Sequence, residues 1–463
     1  SAFMVKLDNK NIGKLLFKSY INDDPINDTI SWIENIRKDV NVEIEKVDFK
    51  ELEKWKCDEN QIRHISEKFF SIIGVDVSND FKGLHWQQPI INQPEIGILG
   101  IIASKIDGVL KFLLQAKIEP GNINAVQLSP TLQATKSNFT RVHKGLKPNY
   151  LDYFTKIKNN EVIIDQLHSE QGSRFLRKRN RNIIIYKNSV KKKSNYYWLS
   201  LGQIQKLMQL DNVVNMDTRT VISCLNRFYS NKSFINLDSG KYSNSILKSF
   251  KSNINKIDYV LKATTSIKFN NQNEVKIIPL SQISNWKYLK NEIIHDDKKY
   301  FKVIATKVKI SSREVVDWYQ PMIQPLNIGF CGLIMKEIDG ILMVLVNYKV
   351  ECGNLDILEF GPTLQTSRSL ENSLIKENKL FKYFLSNEAD IIHSSVQSEE
   401  GGRFYHEQNL NRIIKIKDSE NIDFGDEMMW LTLGQISFLN MFSNKINIQL
   451  RNLLSLINLY EKN

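Results

Sequence analysis

Two stretches of the chain carry the same polar residues at the same spacing, and they are types that move protons. In QAKIEPGN, Lys117 and Glu119 stand two apart. In VNYKVECGN, Lys349 and Glu351 do the same. Residues two apart on a strand face the same side, so each pair sets an ammonium beside a carboxylate. Such a pair serves either as a structural ion pair or as an acid/base couple with shifted pKa values. Gly121-Asn122 and Gly353-Asn354 follow, supplying a turn or a close backbone approach. In QLSPTLQAT, the residues Gln127, Thr131, Gln133 and Thr135 alternate. Glu359, Thr363 and Gln365 answer the first three in the second stretch. Amides and hydroxyls on one polar strand face suit a pocket wall for a nucleobase or sugar hydroxyls, where every buried partner must be satisfied.

Further along, SEQGSRF (169–175) answers SEEGGRF (398–404), joining Glu170 to Arg174 and Glu399 to Arg403. The planar fork of arginine binds two oxygens of a phosphate. Some cationic and titratable groups occur only in the first half: Arg141, His143, Arg177 and Arg179. A lone histidine such as His143 is more often structural than catalytic. The first half is therefore expected to hold the working site, with the second half as a degenerate or supporting copy. Its counterpart pocket would be built from Tyr319, Lys349, Glu351, Glu359, Thr363, Gln365, Glu399 and Arg403. No G-x-x-x-x-G-K-[ST], no G-x-G-x-x-G after a strand and no H-E-x-x-H is present. No His/Cys metal spacing is present either.

These residues are positioned by a duplicated unit. Between Trp86–Thr135 and Trp318–Ser367, 21 of 50 aligned positions are identical, too many for chance and far longer than a solenoid period. WLSLGQI and WLTLGQI, Asn215/Asn447, Arg219/Arg451 and Trp55/Trp286 extend the match. The polar, Ser/Asn-rich stretch around 226–250 marks the boundary, giving domains 1–235 and 236–463. IGILGIIA and VLKFLLQA flank Asp107-Gly108, a type I′ hairpin signal repeated at Asp339-Gly340. NIIIY and RIIKI read as later strands. Ser200-x-x-Gln203 and Thr432-x-x-Gln435 read as capping boxes opening helices. Strands first and helices after argue for an α+β class with mixed or antiparallel sheets.

Composition adds bounds. The chain has 463 residues, 42% of them hydrophobic, and a net charge of +12. No apolar run is long enough to span a membrane, and the N-terminus has no apolar signal segment. Four cysteines without metal spacing, Cys57, Cys224, Cys331 and Cys352, predict reduced thiols in a cytoplasmic protein. The run RFLRKRNRN followed by VKKKS reads as a solvated basic face, as a phosphate-binding face or as a nucleic-acid surface.

WQQPIINQPEIGILG, QAKIEPGNINAVQLSPTLQATKSNFTRVHKG, SEQGSRFLRKRNRN and NMDTRT resemble the NDP-hexose 2,3-dehydratase family. WYQP, SEEGGRFYH and WLTLGQI in the second half fit it too. The resemblance covers both halves. It implies two tandem Nudix-like domains, a homodimer and a dTDP-sugar substrate, with neither nucleic acid nor membrane as partner. The implied reaction converts dTDP-4-keto-6-deoxyglucose to the 3,4-diketo-2,6-dideoxy sugar. The full Nudix box is missing, which argues against metal-dependent pyrophosphate hydrolysis.

Elimination of this kind needs no cofactor, because the C-4 ketone is already the electron sink. It needs a base for the C-3 hydrogen, an acid for the C-2 hydroxyl, and donors around the C-4 oxygen. Glu119, Glu170 and His143 are acid or base candidates, with Lys117 and Gln127 as donors. Which carboxylate takes the proton is left open. Arg141, Arg174, Arg177 and Arg179 are candidates for the diphosphate, and Arg219 is a further substrate-binding candidate. Asn122, Thr131, Gln133 and Thr135 are candidates for sugar and base, and Trp86 for stacking on thymine or for the core. The alternatives are a Nudix-type nucleotide-sugar pyrophosphatase and a tandem nucleic-acid-binding module, whose affinity would fall steeply with salt.

Overall fold

The computed structural model describes residues 9–79, 83–136, 147–230, 243–251, 256–367 and 378–458. The expected boundary near residue 235 lies outside them. Each half builds one small antiparallel sheet and one seven-stranded mixed sheet.

The large sheet starts at a tight hairpin. In the first half Gly97–Ile106 pairs with Val109–Ile118, and Ile106 faces Val109 across two residues. Those residues, Asp107 and Gly108, have φ of 50° and 81°, the doubly positive backbone of a type I′ turn. Asp339 and Gly340 repeat it at 54° and 74°. Arg179–Tyr186 runs parallel to Gly97–Ile106, and the other pairings in the sheet are antiparallel. The second half has the same arrangement.

QLSPTLQAT does not form one strand. It divides at Pro130 into Val126–Ser129 and Leu132–Ala134, which join different neighbours in the sheet. Both capping boxes form. Ser200 Oγ accepts from the Gln203 amide at 3.1 Å while Gln203 Oε1 accepts from the Ser200 amide at 3.0 Å. Thr432 and Gln435 repeat this at 3.0 and 2.9 Å. The helices they open, Leu201–Met208 and Leu433–Leu439, bury their apolar faces in one core shared by both halves.

The small sheets are exchanged. Asn41–Val47, from the first half, pairs with Phe301–Ser311 of the second. Glu274–Ile278, from the second half, pairs with Ser71–Asn79 of the first. Two buried arginines also reach across. Arg219 Nη2 donates to the Ser398 carbonyl at 2.6 Å, and Arg451 Nη2 donates to the Ser169 carbonyl at 2.5 Å. The segments that follow, SEQGSRF and SEEGGRF, therefore dock on the opposite half. The Gly121 amide donates to the Gly401 carbonyl at 2.7 Å, and the Gly353 amide to the Gly172 carbonyl at 2.6 Å. Among the described residues no helix is long and apolar enough to cross a membrane.

Candidate active site

The exchange makes a composite cavity of about 410 Å³. The first half supplies Lys117, Glu119, Glu170, Lys178, Asn180 and Asp217. The second half supplies Trp318, Gln320, Glu400 and Arg403.

Each carboxylate is positioned by its own element. Glu119 follows the last residue of the Val109–Ile118 strand, and its amide still donates to the Ala125 carbonyl at 3.1 Å. Its Oε2 accepts from Gln133 Nε2 at 3.2 Å. Gln133 Oε1 accepts in turn from Asn215 Nδ2 at 3.1 Å. Asn215 is the N-cap of the Met216–Ser223 helix, its Oδ1 accepting from the Thr218 amide at 2.9 Å. A helix cap thus orients a carboxylate through one amide side chain. Glu170 follows the Val162–Ser169 strand. Its Oε1 accepts from Asn180 Nδ2 at 2.6 Å, while Oε2 is buried without a hydrogen-bond partner. Gly97 makes room for this: a Cβ there would lie 2.8 Å from Asn180 Oδ1. Asp217 stands in the first turn of its helix, with Oδ1 also buried and unpartnered.

Crowding sets the electrostatics. Burial, and next the charge of Glu400, pushes Glu119 and Glu170 up to about 7. Burial and the surrounding carboxylates push Asp217 well above the usual range. Burial lowers Lys178 to about 8, against the pull of Glu170. Four carboxylates face Lys117, Lys178 and Arg403 in this cavity. The set comes nearest to neutrality when a carboxyl group keeps a proton, so a proton donor and a proton acceptor coexist near neutral pH.

Arg403 and Trp318 sit at a junction. Together with Thr135 and Gln320, they line both this cavity and an adjoining cleft of about 760 Å³. The cleft is walled by Trp55, His64, Phe69, Phe70 and Tyr319. Trp55 is fixed there, its Nε1 donating to the Tyr319 carbonyl at 2.7 Å. Arg403 is half-buried, with its Nε buried and unpartnered and its guanidinium 4.0 Å above the Phe70 ring. A charged, polar chamber therefore opens through a guanidinium into an aromatic one.

Of the residues expected from sequence, Lys117, Glu119, Gln133, Thr135 and Glu170 meet in the cavity. Arg174 and Arg403 change places. Arg403, expected in the second pocket, enters the first. Arg174 lies over Phe301 at 4.1 Å, close to the charges of Glu407 and Glu351. The reason is the crossing of the two loops, which sequence spacing does not reveal. Trp86 does not line this cavity: it packs against a cluster of Ile73, Val75, Val77, Ile90 and Cys352, while its match Trp318 lines the cavity.

Several candidates make structural contacts instead. Gln127 accepts from Ser398 Oγ at 2.8 Å and donates to Asn124. Thr131 Oγ1 clamps two strands, donating to the Leu113 carbonyl and accepting from the Ile102 amide. Thr363 does the same in the second half. Asn122 Nδ2 donates to the Ala125 carbonyl, Arg219 is the cross-half anchor, and Arg177 is exposed in a positive-φ turn. Arg179 is half-buried on the Arg179–Tyr186 strand. Arg141 and His143 lie outside the described residues.

In the second half, Glu351 keeps an unpartnered buried Oε1 and Gln365 accepts from Asn447 at 3.1 Å. Glu359 accepts from Ser169, and Glu399 accepts from Gln171 at 2.7 Å. Tyr319, assigned to that pocket from sequence, lines the cleft of the first. Lys349 stands opposite Glu359 across the strand pair.

Sequence reading missed Lys178, Asn180, Asp217, Glu400, Trp318 and Gln320. One signal was available. In RKRNRN, Asn180 and Asn182 alternate with Arg179 and Arg181, the period of a strand with a polar inner face.

The chain thus has two matched units, a shared core and a chamber of acids and lysines beside an arginine. Residues 26–225 and 258–457 each match the model of the NDP-hexose 2,3-dehydratase family. The chain belongs to that family. It is similar to proteins named dTDP-4-dehydro-6-deoxy-alpha-D-glucopyranose 2,3-dehydratase in three organisms. The Saccharopolyspora spinosa protein is 38% identical over 448 residues, covering 92% of this chain and 89% of the relative. The Amycolatopsis orientalis protein is 37% identical over 445 residues, covering 93% and 90%. The Streptomyces violaceoruber protein is 36% identical over 415 residues, covering 88% and 91%.

Proposed function

We propose that this chain removes the C-2 hydroxyl of dTDP-4-keto-6-deoxyglucose, giving the 3,4-diketo-2,6-dideoxy sugar, and that the composite cavity does so. The observation that carries this reading is the order of its surfaces. Aromatic cleft, arginine and carboxylate chamber follow the order of a base, a diphosphate and a hexose. Trp55, Phe69 and Phe70 suit the base, Arg403 the diphosphate, and the Glu119–Glu170 chamber the sugar.

Glu119 and Glu170 divide the acid and base roles. One takes the C-3 hydrogen, which the C-4 ketone acidifies. The other gives its proton to the departing C-2 oxygen. Water leaves, and the C-3 enol tautomerises by protonation at C-2. With pKa values near 7, each group can hold either form at neutral pH. The mixed sheet followed by helices suits the Nudix-like layout that the resemblance implies. A homodimer is also expected, and light scattering of the purified protein checks it.

The test is to incubate the protein with dTDP-4-keto-6-deoxyglucose in deuterated buffer without metal and follow the sugar by NMR. Loss of the C-2 oxygen with deuterium entering C-2 is the expected result. An unchanged sugar overturns the reading. The Glu→Gln variant of the acid retains C-3 hydrogen exchange without elimination, and that of the base loses both, which assigns the two roles.

A further inference from the structure

The chain contains its own control. The residues around Glu119 have counterparts around Glu351, and most are the same type: Lys117 and Lys349, Glu119 and Glu351, Gln133 and Gln365, Glu170 and Glu399, Asn180 and Asn409, Arg403 and Arg174. Among the residues lining the cavity, the charged positions that differ are few. Lys178 is answered by Glu407, Asp217 by Gln449, and Glu400 by Gln171. Glu400 is engaged in holding its own loop, its carboxylate accepting from the Gly402 amide and from the Arg403 amide at 2.8 Å. That leaves Lys178 and Asp217 as the groups that distinguish the first chamber.

Lys178 is only 5% exposed, a burial that lysine rarely shows unless paired. Its Nζ donates to the Glu95 carbonyl, and its neighbours are Glu170, Glu95, Asp217 and Arg403. An ammonium has three donors, and one is committed to Glu95. Lys178 lines the cavity beside Glu170, whose free Oε2 is buried there as well. A buried cation with donors to spare, next to a carboxylate able to take a proton, is the pair an enolisation requires.

We propose that Lys178 is a catalytic residue of the dehydration, its ammonium hydrogen-bonding the C-4 oxygen of the bound hexose and holding the charge that develops there. The proposal rests on the dehydratase reading of the cavity. As the C-3–H bond breaks, its electrons form the C-3=C-4 bond and the C-4 oxygen becomes an enolate. Lys178 stabilises that oxygen without giving up its proton. The enolate electrons then return, restoring the C-4 carbonyl and forming C-2=C-3 as the C-2–O bond breaks. The hydroxide leaves as water with the proton of the acid. Burial lowers the lysine towards 8, which strengthens the hydrogen bond to a developing oxyanion. Glu170 and Glu95 favour the charged ammonium. In the second pocket Glu407 stands in its place and would repel the same enolate.

The test uses the purified full chain and compares wild type with Lys178→Met, Lys178→Arg and Lys178→Cys. Readouts are kcat and KM on dTDP-4-keto-6-deoxyglucose, Kd for dTDP, and C-3 hydrogen–deuterium exchange. Loss of one oxyanion donor costs on the order of 10² to 10³ in kcat. Lys178→Met is expected to lose that much kcat together with C-3 exchange, while Kd for dTDP changes by about 2-fold or less. Lys178→Arg keeps part of the activity, and aminoethylation of the cysteine variant restores a lysine-like amine and turnover. A folded Lys178→Met with kcat within about 3-fold of wild type overturns the proposal. So does a folded cysteine variant that stays inactive after aminoethylation. If Lys178→Met does not fold, the arginine and cysteine variants decide. A wild-type protein that leaves this sugar unchanged refutes the dehydratase reading instead, a different result from an active wild type with an active Lys178→Met.

Discussion

The guanidinium of Arg403 lies 4.0 Å over the ring of Phe70, and the two come from opposite halves of the chain. Arg174 and Phe301 mirror them at 4.1 Å. The ring fixes the plane of each guanidinium and shields one face from water, leaving its edge for an anion. Only the Arg403 pair stands at the mouth of the chamber holding Lys178. Arg403→Met is therefore expected to raise KM and Kd for dTDP by about tenfold or more, the cost of a charge-assisted hydrogen bond. Arg174→Met should leave turnover within about 3-fold. Calorimetry with dTDP and steady-state kinetics check both, and equal losses in the two variants would count against a single working chamber.

The carboxylates give the next comparison. Glu119→Gln and Glu170→Gln keep shape and lose the titratable proton, so kcat should fall by about 10² to 10⁴ with little change in dTDP affinity. Glu351→Gln should fall much less. Equal loss from all three in folded protein would sink the assignment.

Stability should depend on pH in a defined direction. Burial pushes Glu119, Glu170, Glu359, Glu399 and Glu407 up to about 7. A carboxyl group with a raised folded pKa stabilises fully below its unfolded value, about 4.3. That contribution is lost as pH rises through about 7. His168 and His393 act oppositely. Burial lowers both, His393 to about 4, so their contribution is present above about 6.5 and fades below it. Tm should fall as pH rises from about 5 to about 7.5 and level off above that. Glu407→Gln, outside the first chamber, should flatten that fall. A thermal-shift series from pH 5 to 9 decides, and a wild-type Tm that is level between pH 5 and 7.5 contradicts it.

Local features were readable because local rules determine them. Asp107-Gly108 and Asp339-Gly340 specify their hairpins by backbone geometry alone, and Ser200 and Thr432 specify their caps by hydrogen-bond reach. Lys117, Glu119 and Glu170 were readable because the duplication preserved them against a drifting background. What was not readable depends on contacts between distant segments. No local pattern says that Glu274–Ile278 joins the sheet of the other half, or that Arg403 crosses to Phe70. Lys178 was hidden for another reason. It sits in a run of basic residues whose solvated members, such as Arg177, disguise the one that turns inward.

Two glycines test whether the second half is needed. At Gly121 a Cβ would lie 1.7 Å from the Phe404 carbonyl oxygen, and at Gly353 it would lie 1.8 Å from that of Phe175. Backbone cannot yield as a flexible side chain does, so either alanine should push its partner loop away and cost about 3 kcal/mol or more. The functional consequence differs from what domain position suggests. Gly121→Ala displaces the loop carrying Glu400 and Arg403. Gly353→Ala, in the other half, displaces the loop carrying Glu170. Both should therefore lower kcat in whatever fraction remains folded, whereas Gly108→Ala, with open space around its Cβ, should strain only its turn and leave kcat unchanged. Circular dichroism melts with turnover normalised to folded protein measure this. Full kcat in folded Gly353→Ala would mean that the second half does not position Glu170, and the composite chamber would have to be redrawn.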